Sequence, residues 1–514
     1  MNPFKTEFPF DFSKSEHSTA QKAALVKVQS EFGKEYANNI GGTDVSTEKK
    51  TNSYSPANKN TLIGIFQKSG AADAENAIQT ADKAFQTWKN TPAKERAEYF
   101  LKASEIIQAR RYEINAWMIS EAGKNYLEAD ADTCEAIDFL EFYAREAVRY
   151  SENQDLTGML GEKNEYFYIP LGVGVVIPPW NFPFAIMAGM TTAAIVSGNT
   201  VVLKPSSDTP MMARLFFDIM QEVGLPKGVF NYLVASGAEA GDYLVDHAKT
   251  RFISFTGSME VGKRIYERAG KTNPGQIWLK RVVAEMGGKD AMIIDSEWSD
   301  FEFAADQVVA AAFGFQGQKC SACSRVIIDE KIYDELVPMI VERAEALTIG
   351  DPANDKNVGP VVNEAAMDSI LDFIEIGEKE GKILLGGDRA GGNGWFIEPT
   401  IIECSSENDT VAKEEIFGPV LAIVKSRDFD HSVEIFNSTI YGLTGSLLTD
   451  NKEKLERGRN ELHCGNLYLN RKCTGAFVDV HPFGGFNMSG TCSKAGSRDY
   501  LGLFMQGKAV ATKL

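Results

Sequence analysis

No residue between Tyr166 and Leu203 carries a charge, and so long a neutral run must either cross a membrane or be buried on every side. Pro178, Pro179 and Pro183 break the run, while Asn181, Thr191, Thr192, Ser197 and Asn199 add polar groups that hydrocarbon would leave unsatisfied. Burial inside protein is the consistent reading. It predicts a strand over 171–177, a tight turn, a buried helix over about 184–197 and a second strand over 200–204. The alternation continues across 166–300: GVGVVIP, TVVLKPS, VFNYLVA and RFISFTGS read as buried strands separated by helical segments. Near-continuous apolar strands divided by helices are the pattern of βαβ units, a parallel sheet covered on both faces.

The pattern resumes after residue 300, with helices near 301–314, 333–346 and 364–381 and strands near 325–329, 383–386 and 420–424. Two α/β lobes follow, with a boundary just after GGKD, close to 287–292. Ahead of them, apolar and small residues spaced three and four apart predict helices through 72–89 and 93–112, and 113–150 reads as largely helical. Residues 1–60 read as an irregular, partly helical lead-in ending in the polar run TEKKTNSYSPANKN. At 514 residues the chain exceeds a single core, and about three domains is the soft expectation.

A formal charge of −18 argues against a nucleic-acid partner, since phosphate binding needs a concentrated basic patch. The interrupted neutral run argues against a membrane partner. The seven cysteines are an odd number, and Cys320-x-x-Cys323 lacks the second ligand pair of a structural zinc, so no metal is expected. Free thiols in a reducing, cytoplasmic compartment fit best. The opening residues MNPFKTEFPFDF carry charges at Lys5 and Glu7 and no apolar core of a signal peptide.

Five places carry chemistry. In FGFQGQKCSACSR, Cys320 follows Gly317-Gln318-Lys319, a turn that could present a nucleophile, although a single cysteine is more often a buried packing residue. In VVAEMGG, Glu285 ends a buried strand before two glycines; it suits a general base or a capping carboxylate equally. In PWNFP, Asn181 could donate to an oxyanion or simply satisfy its own turn. FTGSMEVG joins a strand to a helix, and Gly257, Ser258 and Gly262 leave N–H groups where a pyrophosphate can sit. Lys204 in LKPSS ends another strand, in reach of ribose hydroxyls if it is not simply solvated.

Taken in order, KPS, FTGSxxxG, ExGG, GQxC, EEIFGP (414–419) and PFGGFxxSG (482–490) resemble the aldehyde dehydrogenase superfamily, from about residue 50 to the C-terminus. The resemblance implies an α/β fold of two Rossmann-like lobes with a small β oligomerisation element. Residues 1–149 and 170–288 would form the helical region and dinucleotide-binding domain, 289–490 the catalytic domain, and 150–169 with 491–514 the oligomerisation element. It implies Cys320 as nucleophile, Glu285 as base, and Asn181 with the Cys320 N–H as oxyanion hole. Lys204, Ser207, Gly257, Ser258 and Gly262 would bind the dinucleotide, and Glu415 with Phe417 the nicotinamide ribose. The expected cofactor is NAD, with NADP tolerated because Lys204-Pro205-Ser206-Ser207 lacks an acid to repel a 2′-phosphate.

The run from Arg471 to Leu501, with CTGAFV before HPFGGF and then SGTxSKAG and DYL, is similar to the branch that oxidises L-glutamate γ-semialdehyde, the open form of 1-pyrroline-5-carboxylate, to glutamate in proline and arginine catabolism. That likeness implies that Gly475 and Ala476, with Ser321, hold the substrate carboxylate. Phe184 and Phe483 would wall its aliphatic chain, and Glu135 would receive its ammonium. Ser497-Arg498 departs from the Gly-Pro expected there, near a subunit contact. The partners implied are a small aldehyde and further copies of the chain, as a homodimer or larger homo-oligomer. Alternatives are another short semialdehyde, acylation of coenzyme A, and a catalytically silent homologue.

Overall fold

The structure, a computed structural model, describes residues 2–514. Its first sheet has seven strands in the order Arg281–Glu285, Thr250–Thr256, Val173–Ile177, Thr200–Leu203, Phe230–Tyr232, Asn38–Ile40, Thr43–Val45. The first five run parallel and the last two are antiparallel additions. The second sheet, also of seven strands, runs Gly381–Leu385, Thr400–Cys404, Val420–Ser426, Arg325–Asp329, Ala291–Ile294, Thr444–Leu448, Asn466–Leu469, parallel except for its first pair. The chain crosses from one sheet to the other between Glu285 and Ala291.

Every residue of Thr200–Leu203, Ala291–Ile294 and Thr444–Leu448 is buried, because helices cover both faces of each sheet. The neutral run is explained by this packing. Its helix, Ala185–Val196, buries all but Ile186 and lies between the first sheet and the long helix Tyr126–Tyr150. Each fully buried Met, Ile or Val there contributes roughly 1.5–3 kcal/mol. Close approach is made through Gly189, where a Cβ would stand 2.7 Å from the Phe139 ring.

The amino-terminal region departs from expectation. Residues 1–60 are not mainly irregular: they hold a helix, Ser15–Gln29, and short strands, and the polar run folds as the hairpin Lys50–Ser55/Asn58–Gln67 around Pro56-Ala57. Polar strands can be buried here because their side chains are paired across the fold, as where the Ser53 hydroxyl donates to Glu121 at 2.8 Å. The stretch 113–150 is largely helical as expected, in two helices, Arg111–Ala122 and Tyr126–Tyr150. Gly123 ends the first in the left-handed conformation at φ +74°, and the Asn125 side chain caps the second.

Met505–Lys513 pairs antiparallel with Glu162–Pro170 along its whole length; Met505–Lys513 is mostly exposed and Glu162–Pro170 mostly half-buried. Among the described residues no helix is long and apolar enough to cross a membrane.

Candidate active site

Four of the motifs end strands of the first sheet at their carboxyl edge. Asn181 follows Val173–Ile177, Lys204 follows Thr200–Leu203, Gly257 and Ser258 follow Thr250–Thr256, and Glu285 is the last residue of Arg281–Glu285. Strand order reverses between Val173–Ile177 and Thr250–Thr256, the place where open α/β sheets leave a crevice for ligands.

Cys320 arrives from the second lobe on a turn after the helix Phe301–Phe313. Phe315, Gln316 and Gly317 all take positive φ, at +51°, +55° and +67°. Gly317 admits no side chain, since a Cβ would lie 2.1 Å from the Gly418 carbonyl. Left-handed non-glycine residues cost about 1–3 kcal/mol each, so the surroundings must hold the turn. Gln316 donates to the Gly123 and Pro360 carbonyls at 3.1 and 2.9 Å, the Val362 N–H donates to Gln318 at 2.9 Å, and the Asn181 amide donates to the Gln318 carbonyl at 2.9 Å. Cys323 is fully buried in the core of the second lobe.

Cys320, Ser321, Glu285, Gly475, Ala476, Phe483 and Glu135 all face one cavity of about 230 Å³. Asn181 is not among the lining residues: it is 4% exposed, with one amide hydrogen on the turn that carries Cys320. Phe184 does not wall the cavity: it is fully buried, edge-on to Phe216. Phe182, two residues earlier, lines the cavity instead, because the chain has not yet entered the helix and its side chain still turns toward the nucleophile turn. Sequence reasoning also missed Lys319, which lines the cavity and pairs with Glu128 at 2.6 Å, and Glu7 and Pro9, brought in by the amino-terminal segment. Phe182, within PWNFPF, and Lys319, directly before Cys320, carried a signal; Glu7 and Pro9 did not.

The segment 474–478 also lines the cavity, next to Ser321, whose carbonyl the Cys473 thiol reaches at 3.5 Å. Arg471 draws the carbonyls of Thr474 and Gly475 toward itself at 2.6 and 3.1 Å, with Gly475 at φ +84°. Among the described residues, the N–H groups of Gly475 and Ala476 have no acceptor. Paired free N–H groups of this kind form a concave site for an anion.

The ionisable groups share one tendency. Burial pushes the Glu285 carboxyl up to about 8, opposed by a hydrogen bond from Ser493, the Gly485 N–H and the charge of Lys494. Burial and then Asp132 push Glu135 to about 8. The Cys320 thiol is held well above its ordinary range by burial and by the carboxyls of Asp290, Glu415, Glu285 and Glu135. Burial thus biases all three groups toward their neutral forms.

The remaining residues form a second face. Lys204 is buried, and among the described residues only the Pro205 carbonyl is in reach of its ammonium, at 3.3 Å. Ser207 is exposed nearby. Ser258 caps the helix Met259–Ala269, and Gly262, in its first turn, has a Cβ position 2.4 Å from the Met286 sulfur. Gly257 donates to the Glu285 carbonyl at 3.1 Å. From the second lobe, Glu415 accepts from the Gly288 N–H at 2.9 Å and sits so close to Gly287 that a Cβ there would be 1.9 Å from its carboxylate. Phe417, at φ +58°, meets Trp180 edge-on at 5.6 Å.

A doubly wound sheet that carries a buried carboxyl on its carboxyl edge, with a thiol brought to the same cavity from a second lobe, fits an aldehyde-oxidising enzyme. The model of the aldehyde dehydrogenase family matches residues 43–510, and the chain belongs to that family. It is 54% identical over 512 residues to the 1-pyrroline-5-carboxylate dehydrogenase of Geobacillus thermodenitrificans, covering 99% of each chain. Among solved structures, the 1-pyrroline-5-carboxylate dehydrogenase from Thermus with bound NAD superposes with a TM-score of 0.99 at 46% identity, over 100% of both chains. Proline utilization A from Bdellovibrio bacteriovorus matches with a TM-score of 0.98 at 40% identity, over 99% of this chain and 53% of that one.

Proposed function

We propose that this enzyme oxidises L-glutamate γ-semialdehyde to L-glutamate with NAD, as a step in proline and arginine catabolism. The observation that carries the substrate is the free N–H pair of Gly475 and Ala476 lining one cavity with Ser321 and Cys320. An amino-acid aldehyde needs an anion site at one end and a nucleophile at the other, and the cavity supplies both. The α-carboxylate lies on Gly475, Ala476 and the Ser321 hydroxyl, the aliphatic chain runs past Phe182 and Phe483, and the ammonium points to Glu135.

The second face fits NAD. Lys204 is a buried ammonium short of acceptors, which ribose hydroxyls supply. Ser258, Gly257 and Gly262 open a helix N-terminus for the pyrophosphate, with Ser207 beside Lys204. Glu415 and Phe417 hold the nicotinamide ribose. NAD, when bound, accepts the hydride that turns the hemithioacetal into a thioester.

Cys320 releases its proton to water, and its sulfur adds to the aldehyde carbon, whose oxygen becomes an oxyanion. The second amide hydrogen of Asn181 and the Cys320 N–H receive that charge, a contribution worth roughly 10²–10³ in rate for one such donor. After hydride loss, Glu285 takes a proton from water, the hydroxide adds to the thioester, and the C–S bond breaks to release the carboxylate and return the thiol. A base at Glu285 favours this hydrolysis over transfer to coenzyme A.

The first sheet and its helices serve as the dinucleotide-binding domain and the second sheet as the catalytic domain. The ribbon Glu162–Pro170/Met505–Lys513 joins copies of the chain into a homodimer or larger oligomer. Seven free cysteines accord with a cytoplasmic setting.

The test is NAD reduction followed at 340 nm (about that wavelength for any reduced nicotinamide) with glutamate semialdehyde against simple aldehydes and short semialdehydes lacking the α-carboxylate. The expected result is the highest kcat/KM for glutamate semialdehyde, with NADP used less well. A preference for a substrate without a carboxylate, or for NADP, would overturn the assignment.

A further inference from the structure

We propose that Ser493 is a positioning residue for thioester hydrolysis: its hydroxyl holds one oxygen of Glu285 and leaves the other, buried and without a partner among the described residues, as the oxygen that takes the proton from water. The Ser493 hydroxyl donates to Glu285 Oε1 in a wholly buried contact, while Oε2 has no partner among the described residues. Ser493 is itself rigidly mounted. Phe483 and Ala495 exchange two backbone hydrogen bonds of 2.8 Å beside it, and its carbonyl leaves no room for a Cβ on Gly484. Lys494 is pinned to the carbonyls of Gly465 and Gly484, both at 2.6 Å, and to the Asn466 side chain at 3.1 Å.

The arrangement orients the base and favours its ionised form. Burial raises the Glu285 carboxyl, and a hydroxyl donating to the carboxylate works in the opposite direction. The other groups facing Glu285 are the Gly485 N–H, the Lys494 ammonium, the Cys320 thiol and the buried Tyr500 phenol. None of these is altered when the Ser493 hydroxyl is removed. Loss of the donor therefore makes the carboxylate harder to form and demands a higher pH for hydrolysis.

This rests on the reading of Glu285 as the base, so the experiment pairs Ser493→Ala with Glu285→Gln. Pre-steady-state NADH formation and steady-state kcat are measured from about pH 6 to pH 9.5, a range spanning the shifted carboxyl. In Ser493→Ala the acid limb of kcat moves up by about one unit, the size of a charge-assisted hydrogen bond. A burst of NADH appears near neutral pH with its own rate constant unchanged, and Ser493→Thr, which keeps the hydroxyl, returns the parent profile. An unshifted acid limb in Ser493→Ala, or a burst rate that falls in step with kcat, overturns the proposal. Full steady-state turnover in Glu285→Gln removes the base role itself; a burst in Glu285→Gln with no shift in Ser493→Ala removes only the role of Ser493.

Discussion

Gln316 and Phe315 sit side by side in a conformation that side chains avoid, and the hydrogen bonds from Gln316 to Gly123 and Pro360 hold them there. The result is that two cysteines three positions apart meet different surroundings. Cys320 opens to the cavity, whereas the Cys323 thiol donates to the Arg325 carbonyl at 3.3 Å inside the core. Cys320→Ala should abolish both the acyl intermediate and NAD reduction. Cys323→Ala should keep turnover and lose about 1–2 kcal/mol of stability from the small cavity it leaves. Burst stoichiometry and denaturant unfolding read the two effects, and the opposite pattern would move the nucleophile to Cys323.

The helix Ala185–Val196 shows how elements set the cavity's shape. Gly189 lets it approach the helix Tyr126–Tyr150 closely enough that Gly189 and Phe139 both line the cavity. Gly189→Ala would gain about 1 kcal/mol in helix propensity. A new methyl 2.7 Å from the Phe139 ring costs about 1–3 kcal/mol in overpacking, so packing should win. The expected outcome is a lower Tm and a raised KM for the substrate; a higher Tm would show that Phe139 can move aside without cost.

At the scale of the whole molecule, Glu121, Glu135 and Glu285 are each raised by burial from about 4.5 to about 8. A raised carboxyl favours the folded state fully below its unfolded value, and that contribution is lost as pH rises through the folded value. Thermal stability of the apoenzyme should therefore fall between about pH 5 and pH 9, and the slope should flatten in Glu121→Gln. A Tm that climbs over that range would contradict it. The ribbon Glu162–Pro170/Met505–Lys513 has only two strands, an arrangement that is marginal by itself. Removing residues 505–514 should reduce the mass measured by light scattering to that of one chain, whereas an already monomeric full-length protein would refute the assembly role.

Much of this was readable in the chain itself. The neutral run from Tyr166 to Leu203 forced a buried strand–helix–strand unit, and apolar strands separated by helices implied two parallel sheets, because both rest on local periodicity and the cost of burying charge. The order of motifs pointed to Cys320, Glu285 and Asn181, since the chemistry of a thiol, a carboxyl and an amide belongs to the residue types. Tertiary structure alone decided which way side chains turn and which distant groups meet. Phe182 rather than Phe184 faces the cavity because of the rotation at a helix entrance. The polar run before Asn60 is a hairpin because Ser53 finds Glu121, and Ser493 reaches Glu285 across 208 positions. Contacts at such separation leave no periodicity in the sequence, and only the packed chain brings them within hydrogen-bonding distance.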